Sequence, residues 1–266
     1  MRIAAVGDLH CRKTSRGALE PLFAAMAAAA DVLVLCGDLT DYGLADEARL
    51  LARELGGAKT TPVVAVLGNH DYECGEADQV KAVLGEAGVQ VLDGDACEIQ
   101  GVGFAGVKGM GGGFGEHALQ PWGEELFKRF VRETVEEALK LESALARLRS
   151  AQRVALLHYS PIRETVEGEP PEIFPFLGSS RLEEPLMRYP VSVVFHGHAH
   201  HGRHTGRTRS HTPVYNVCVP VLERLTPASP PFLLIDLEHQ KQSPPHGSDT
   251  GPRVSRPLSA VTNPPA

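Results

Sequence analysis

Asp, His and Asn residues that could bind metal ions follow five short apolar segments of the chain. In chain order they are Asp8 and His10, then Asp38, then Asn69 and His70, then His158, and last His198 and His200. In open α/β sheets, ligands gather outside the carboxyl ends of the strands. We therefore expect these side chains to converge on one crevice. A single His after a strand would indicate little, whereas five such strand ends indicate a site.

The chemistry of these side chains is consistent across the set. Carboxylates, imidazoles and an amide oxygen suit Mn, Fe, Zn or Co, and the thiolate set of a structural zinc site is missing from the sequence. Eight candidate residues are too many for one ion, but they fit two ions that share a carboxylate. Such ions lie about 3.5–4 Å apart and lower the pKa of bound water toward about 7, which makes a bridging hydroxide nucleophilic.

The elements that must position these residues follow an α/β pattern. Apolar runs alternate with helical periodicity, which predicts a sheet covered on both faces. The predicted strands are Ile3–Val6, Val32–Leu35, Val63–Leu67, Val154–Leu157 and Val191–Phe195, with Val214–Val219 and Phe232–Asp236 as closing strands; Gly88–Gln90, Cys97–Gln100 and Val102–Ala105 are predicted to form a meander. The predicted helices lie around Ala18–Ala30, Ala45–Leu55, Ala77–Ala87 and Glu124–Arg149. The apolar stripe of the last helix, from Leu126 to Leu148, is interpreted as core packing.

Length and composition limit the class of protein. With 266 residues the chain fits one domain, predicted at 1–238, and the Pro- and Ser-rich composition of 239–266 predicts a disordered tail. A net charge of −7 argues against a broad nucleic-acid surface. Five scattered cysteines without a CxxC pair are typical of reduced thiols in the cytoplasm, and no apolar run approaches the roughly 20 residues of a membrane span. The oligomeric state stays open.

Taken together, the motifs resemble the calcineurin-like metallophosphoesterase superfamily. Asp8-Leu9-His10 matches DxH, Gly37-Asp38-Leu39-Thr40-Asp41 matches GDxxD, Gly68-Asn69-His70-Asp71 matches GNHD, and Gly197-His198-Ala199-His200 matches GHxH, with His158 between the last two. The resemblance spans residues 1 to about 236. It implies a four-layer αββα sandwich and two metal ions per chain.

The resemblance also implies a role for each matching position. Asp8, His10 and His200 would bind the first metal and Asp38 would bridge, while Asn69, His158 and His198 would hold the second, with Asn69 also near substrate. His70 would protonate the leaving oxygen or stabilise charge on the phosphoryl group. Asp41 would orient and charge His70, as carboxylates behind an imidazole do, and Asp71 would support the ligands without binding metal.

Several plainer interpretations stay open at this point. Asp8 or Asp38 alone would fit a helix N-cap, and His158 alone would fit a structural residue. Arg12 could contact substrate phosphate or could be a solvated surface residue. The remaining histidines of this region are interpreted as loop or supporting residues: His196, His201, His204 and His211. The segment Gly109–Gly115 lacks GxGxxG spacing and is interpreted as a rim or lid.

The class of substrate is narrowed mainly by the positions at which this chain differs from the motifs of other branches of the superfamily. Protein Ser/Thr phosphatases of this superfamily typically read GDxHG, GDxxDRG and GNHE, where this chain has Cys11, Tyr42 and Asp71. Nuclease members usually add a large partner region, for which this acidic chain has little room. A small phosphoester substrate is therefore favoured, and a phosphodiester such as a nucleotide-type compound is favoured over a phosphomonoester. Phe174 and Phe176 could stack a base or simply anchor their loop. A non-catalytic scaffold is least favoured, because His70 and the whole ligand set are present.

Overall fold

The computed structural model describes residues 1–58 and 60–237, and the predicted tail at 239–266 lies outside them. Within this part, the strands are β1 (Arg2–Val6), β2 (Val32–Cys36), β3 (Val63–Val66), β4 (Val89–Val91), β5 (Asp95–Ile99), β6 (Val102–Gly106), β7 (Gln152–Leu156), β8 (Val193–His196), β9 (Thr205–Arg207), β10 (Pro213–Asn216) and β11 (Leu233–Asp236). The helices are α1 (Glu20–Ala29), α2 (Ala45–Glu54), α3 (Ala77–Glu86), α4 (Glu125–Arg147), α5 (Phe174–Leu177), α6 (Glu183–Arg188) and α7 (Val219–Leu225).

The strands form two sheets. The first has the order β11-β1-β2-β3-β4, and the second has the order β5-β6-β7-β8-β10-β9. Strands β1 to β4 run parallel, as do β6, β7, β8 and β10. Helices α1 and α3 pack on the first sheet, α2 packs on α3, and α4 packs on the second sheet. The fold is a four-layer αββα sandwich, as the resemblance implies.

Alternating burial explains why the two sheets stack. In β7, Val154 and Leu156 belong to the core between the sheets, whereas Ala155 and Leu157 pack on the side of α4. Because successive side chains of a strand point to opposite faces, a continuous apolar strand can serve both layers. The sandwich therefore brings the carboxyl ends of β1, β2 and β3 against those of β7 and β8.

Three sequence predictions were wrong in detail. The meander does not form, because β4 joins the first sheet beside β3 and β5 begins the second sheet as a hairpin with β6. The proposed closing strand at Val214–Val219 ends at Asn216, and α7 begins at Val219 with Pro220 in its first turn. The stripe of α4 is core at Val131, Leu141 and Leu145, but Leu126 is exposed. None of the helices in the described ranges has the length and apolar character needed to cross a membrane.

Candidate metal centre

Each candidate ligand lies just beyond a strand that the two sheets bring together. Asp8 follows β1, Asp38 follows β2 and Asn69 follows β3, while His158 follows β7 and His198 follows β8. The Asp8 amide donates to the carbonyl of Gly37 at 2.9 Å, so the first two strand ends are joined directly. The two sheets are joined in the same place, because Nδ1 of His158 donates to the Cys36 carbonyl at 3.0 Å.

The side chains form overlapping groups around Asp38. The first group is Asp8, His10 and His200, and the second is Asp38, His158 and His198; a third set, His10, Asp38 and His70, lies between them, and within each set the candidate ligand atoms lie within 4.8 Å of one another. One oxygen of Asp38 lies 3.8 Å from Nε2 of His10, and the other lies 3.4 Å from Nε2 of His158. The carboxylate of Asp38 is thus placed between the two groups, as a bridging ligand must be.

Several candidate ligand atoms lie close together although none of them carries a proton with which to make a hydrogen bond. Nδ1 of His158 must carry the proton, because its partner is a carbonyl, and burial keeps the pKa of His158 well below its ordinary value. Its Nε2 therefore has a lone pair, yet it lies 2.8 Å from Oδ1 of Asn69 and 3.4 Å from Asp38. A cation between such acceptors fits this arrangement.

His10 gives the same indication independently. Neither of its buried ring nitrogens has a hydrogen-bond partner in the ranges 1–58 and 60–237, although Asp38 and Asp41 lie 3.8 and 3.4 Å away. Buried polar atoms are nearly always satisfied, so an orphaned imidazole indicates a missing ligand such as a metal ion. Burial also lowers the pKa of His10, so that its neutral, metal-binding form is favoured.

Burial shapes the protonation of the other ligands. It lowers the pKa of His198 to about 3, with the neighbouring His158 contributing in the same direction. It raises the pKa of Asp8 to about 6, and the charge of Asp38 adds to that rise. Neutral imidazoles and crowded carboxylates are what a positive ion stabilises, because the ion replaces lost solvation and cancels the repulsion.

The backbone is strained at the ligands themselves. Asp8, His10, Asp38 and His198 have φ values of 60°, 44°, 48° and 70°, in the left-handed region. Non-glycine residues seldom adopt this conformation, and each instance costs on the order of 1–3 kcal/mol. Strain of this kind concentrates at functional sites, where the surrounding structure holds it in place.

Two glycines have no room for a side chain beside the ligands. A Cβ added to Gly68 would lie 2.2 Å from Oδ1 of Asp38, and one added to Gly197 would lie 2.2 Å from Oδ2 of Asp8. These contacts are with the carboxylates that would bind metal, so glycine is required by the close approach and not by a turn.

Asp71 holds two of the strand ends together. Its buried carboxylate accepts from the amides of Leu39 at 3.1 Å and Gly68 at 2.8 Å, and from both the amide and the hydroxyl of Thr40, at 2.8 and 2.6 Å. It contacts no candidate ligand directly. The loop after β2 is thereby fixed to the loop after β3, which fixes Asp38 relative to Asn69.

His70 and Asp41 meet, but not as expected. Nδ1 of His70 lies 2.7 Å from the backbone carbonyl of Asp41, whereas the Asp41 carboxylate binds Nε of Arg12 at 2.8 Å and the same guanidinium again at 3.3 Å. Burial opposes protonation of His70, but this carbonyl and the carboxylates of Asp38, Glu73 and Asp41 together raise its pKa. Asp41 thus contacts the ring through its backbone carbonyl, while its carboxylate, held by Arg12, acts on His70 only as a nearby charge that raises its pKa.

His196 is a supporting residue, as the sequence predicts, whereas Thr165, Ser160 and Asn216 escaped the sequence reasoning. Nε2 of His196, buried at the end of β8, lies 2.8 Å from the hydroxyl of Thr165, which in turn lies 2.8 Å from that of Ser160. Asn216 donates to the carbonyl of Ala199 at 2.7 Å, inside the GHxH motif. The signal for Asn216 was its position at a strand end beside the motif loops, but its side chain bonds to backbone and not to a ligand.

Tyr159 and Lys108 lie beside the second group. The Tyr159 ring is 4.5 Å from the ring of His198, and the ammonium of Lys108 lies 5.3 Å from the Tyr159 ring centre. Lys108 donates to the carbonyl of Gly109 at 2.7 Å, and burial lowers its pKa. Both residues are adjacent in sequence to features that the motifs single out, namely His158 and the glycine-rich segment.

The glycine-rich segment and the loop around Phe176 lie beside the second group. Nε2 of His198 lies 3.1 Å from the carbonyl of Phe176, and the amide of Gly112 donates to Pro175 at 2.6 Å. The glycine-rich segment therefore lies against the short helix α5. Phe174 is partly buried beneath the guanidinium of Arg163 and anchors the loop, whereas Phe176 is exposed.

This set of strand-end motifs is the signature of a known family. The family model for calcineurin-like phosphoesterases matches residues 1–202. The chain belongs to the calcineurin-like phosphoesterase family. As a calcineurin-like phosphoesterase it is a hydrolase, and its Asp and His clusters can bind metal.

The fold of this phosphoesterase is shared by a solved structure of low sequence identity. The phosphopantetheinyl hydrolase PptH from Mycobacterium tuberculosis is 17% identical, over 90% of this chain and 96% of that chain, with a TM-score of 0.64. The protein TT1561 of Thermus thermophilus is 18% identical, over 83% and 90% of the two chains, with a TM-score of 0.49. A comparison with curated protein sequences gave no match.

Proposed function

We propose that this phosphoesterase uses two metal ions to hydrolyse phosphodiester bonds. Asp8, His10 and His200 would hold the first ion and Asn69, His158 and His198 the second, with Asp38 shared. The observation that carries the proposal is the position of Asp38, whose two oxygens face His10 and His158 at 3.8 and 3.4 Å. When bound, two such cations supply positive charge to the phosphoryl oxygens and lower the pKa of a water molecule.

His70 is suited to act on the leaving oxygen. Its Nδ1 faces the Asp41 carbonyl, which can only accept a hydrogen bond, so Nδ1 donates there and Nε2 is left to carry a second, transferable proton. The raised pKa of His70 favours this doubly protonated form. The ring lies 4.6 Å from that of His10 at the edge of the first group. A protonated imidazole in this position can stabilise an alkoxide leaving group.

The pairing of Arg12 with the Asp41 carboxylate favours a phosphodiester substrate over a phosphomonoester. A phosphomonoester carries about −1.5 to −2 charge at pH 7 and is commonly held by a forked arginine, whereas a diester carries a single charge. Arg12 is bound to the Asp41 carboxylate, and position 42, an Arg in the protein-phosphatase motif, is Tyr42. The proposed substrate is therefore a small phosphodiester.

The cytoplasmic location of the protein stays a prediction from its cysteines.

Two chromogenic esters test the proposal. Protein loaded with Mn²⁺ should hydrolyse bis-p-nitrophenyl phosphate faster than p-nitrophenyl phosphate, and EDTA should abolish the activity. Asp38→Ala should abolish it as well, whereas Asp78→Ala, at an exposed position in α3, should not. A phosphopantetheinyl substrate belongs in the panel because the similar Mycobacterium structure bears that name.

The outcomes separate the alternatives. A strong preference for the monoester would indicate a phosphomonoesterase. Binding of metal without cleavage of any ester in a broad panel would indicate a non-catalytic scaffold. Equal activity in Asp38→Ala and wild type would show that the bridging position is misassigned.

A further inference from the structure

The first turns of α4 carry large apolar side chains into solvent. Leu126 is 74% exposed, Phe127 56% and Phe176, from the neighbouring loop, 60%. Phe130 joins them, because its ring packs edge-on against Phe176 with 6.3 Å between centres. We call these four residues the apolar face. Scattered exposed apolar residues are ordinary, whereas exposed apolar residues that lie beside one another are typical of binding surfaces.

The apolar face is continuous with the metal centre. The backbone carbonyl of Phe176 lies 3.1 Å from Nε2 of His198, a candidate ligand of the second metal. From Phe176 the face passes to Phe130 and then, one helical turn earlier, to Leu126, since residues four apart lie on the same side of a helix. The apolar face therefore begins at a residue that contacts the metal centre.

The face lies at the opposite end of the centre from His70. His70 contacts the ring of His10, which belongs to the first group, whereas Phe176 contacts His198 in the second. A phosphodiester carries two organic groups, one on each side of phosphorus. With its leaving group near His70, such a substrate would have the group that stays on the phosphate near Phe176.

We propose that the substrate of this enzyme is a phosphodiester whose retained ester group is apolar and lies on the face formed by Leu126, Phe127, Phe130 and Phe176. The proposal rests on the proposed phosphodiesterase activity. Hydrolysis adds water across the P–O bond on the His70 side, so the products are an alcohol and an apolar phosphomonoester. The occupant is the substrate and not a partner protein, because a protein seated on Phe176 would cover the metal centre.

A series of mixed diesters tests the proposal. In methyl, butyl and octyl p-nitrophenyl phosphate the nitrophenolate leaves and the alkyl group is retained. Burial of each methylene should raise kcat/KM by about twofold to fourfold until the face is filled. We expect the octyl ester to be cleaved at least tenfold more efficiently than the methyl ester in Mn²⁺-loaded protein, below the concentration at which octyl esters form micelles.

Matched substitutions on α4 locate the effect. The double variant Leu126→Ser, Phe127→Ser should reduce the ratio of octyl to methyl kcat/KM toward one. Leu139→Ser is the control, because Leu139 is 57% exposed on the same helix but about 20 Å further along it, and it should keep the wild-type ratio. All three side chains are exposed, so these changes should leave folding intact.

A binding measurement needs no turnover. Trp122 is the one tryptophan of the chain, lies four residues before Leu126 and is 74% exposed. Octyl phosphate, which resembles the proposed product, should shift its fluorescence to shorter wavelength, and methyl phosphate should not. The shift should disappear in the double variant and persist in Leu139→Ser.

The two proposals fail in different ways. If the Mn²⁺-loaded protein cleaves neither ester yet octyl phosphate still shifts Trp122, the phosphodiesterase proposal is wrong and the apolar site stands. If both esters are cleaved with equal efficiency, or the double variant keeps the wild-type ratio, the apolar site is wrong. A Trp122 shift produced by phosphatidylglycerol vesicles but not by soluble octyl phosphate would identify the face as a membrane contact and overturn the inference.

Discussion

Replacement of Asp8 by Asn should stabilise the metal-free protein while impairing its metal binding. Asp8 is buried, and its folded-state pKa is raised to about 6 from an ordinary value of 3.8. Asn can keep the contacts of Oδ1, which accepts from the His198 amide and faces Nε2 of His200, each at 3.0 Å. Asn also tolerates the left-handed backbone found here, so the change removes charge with little strain.

The magnitude follows from the two pKa values. Below pH 3.8 the carboxyl is protonated in both the folded and the unfolded protein and costs nothing, and the cost grows as the pH rises through about 6. At about 1.4 kcal/mol per pH unit, the buried Asp8 carboxylate lowers the free energy of unfolding of the wild type by about 3 kcal/mol at pH 7.5 and by about half a kcal/mol at pH 4. The hydrogen bond from His200 lowers the pKa of Asp8 and is already included in the value of about 6.

Urea unfolding of EDTA-treated protein at the two pH values measures this difference. We expect the free energy of unfolding of the Asp8→Asn variant to exceed that of the wild type by about 2–3 kcal/mol at pH 7.5 and to approach it at pH 4. Added Mn²⁺ should reverse the order, since only the wild type gains the full binding free energy. Equal stabilities at pH 7.5 without metal would refute the claim that Asp8 is held as a costly buried charge.

Three further predictions concern the same centre. His70→Ala should lower kcat by about 10²–10⁴-fold with metal content unchanged, whereas Asp38→Ala should lose metal itself; equal metal loss by mass spectrometry would show His70 to be a ligand. Gly68→Ala should cost about 1–3 kcal/mol in thermal unfolding and weaken metal binding, because its Cβ would meet a carboxylate, while Gly85→Ala, with open space around it in a helix, should stabilise by about 0.5–1 kcal/mol. Arg12→Ala should change KM for a diester by about twofold or less, since the guanidinium is already paired; a tenfold rise would restore its role in phosphate binding.

The positions of the polar residues at the strand ends could be predicted best from the sequence. Polar residues after apolar runs gave the positions of Asp8, Asp38 and His158, because a strand inside a sandwich must be apolar along its whole length while its end is free to carry function. The family motifs then gave the division into two groups that meet at Asp38. These features depend on spacing along the chain, which a sequence records directly.

Strand pairing, side-chain rotamers and the covering of helices depend on tertiary packing, which the spacing of residues along the chain does not record. The short strands β4 and β5 have similar patterns, and only tertiary packing decides that one joins each sheet. Arg12 and His70 both lie near Asp41, and the rotamer that gives the carboxylate to Arg12 is set by local geometry. The helical period of α4 continues unchanged past the point where the second sheet stops covering it, so Leu126 and Leu141 looked equivalent.

The left-handed backbone at four of the candidate ligands has a consequence for metal engineering. All four positions are Asp or His, and Asp, Asn and His are the non-glycine residues that tolerate this conformation best. The set of side chains that the backbone accepts is therefore nearly the same as the set that binds borderline metals. Attempts to retune metal selectivity with Glu or Cys at Asp8, His10, Asp38 or His198 would meet a conformational barrier before any question of coordination arose. Positions with ordinary backbone, such as Asn69 and His158, are where such redesign should begin.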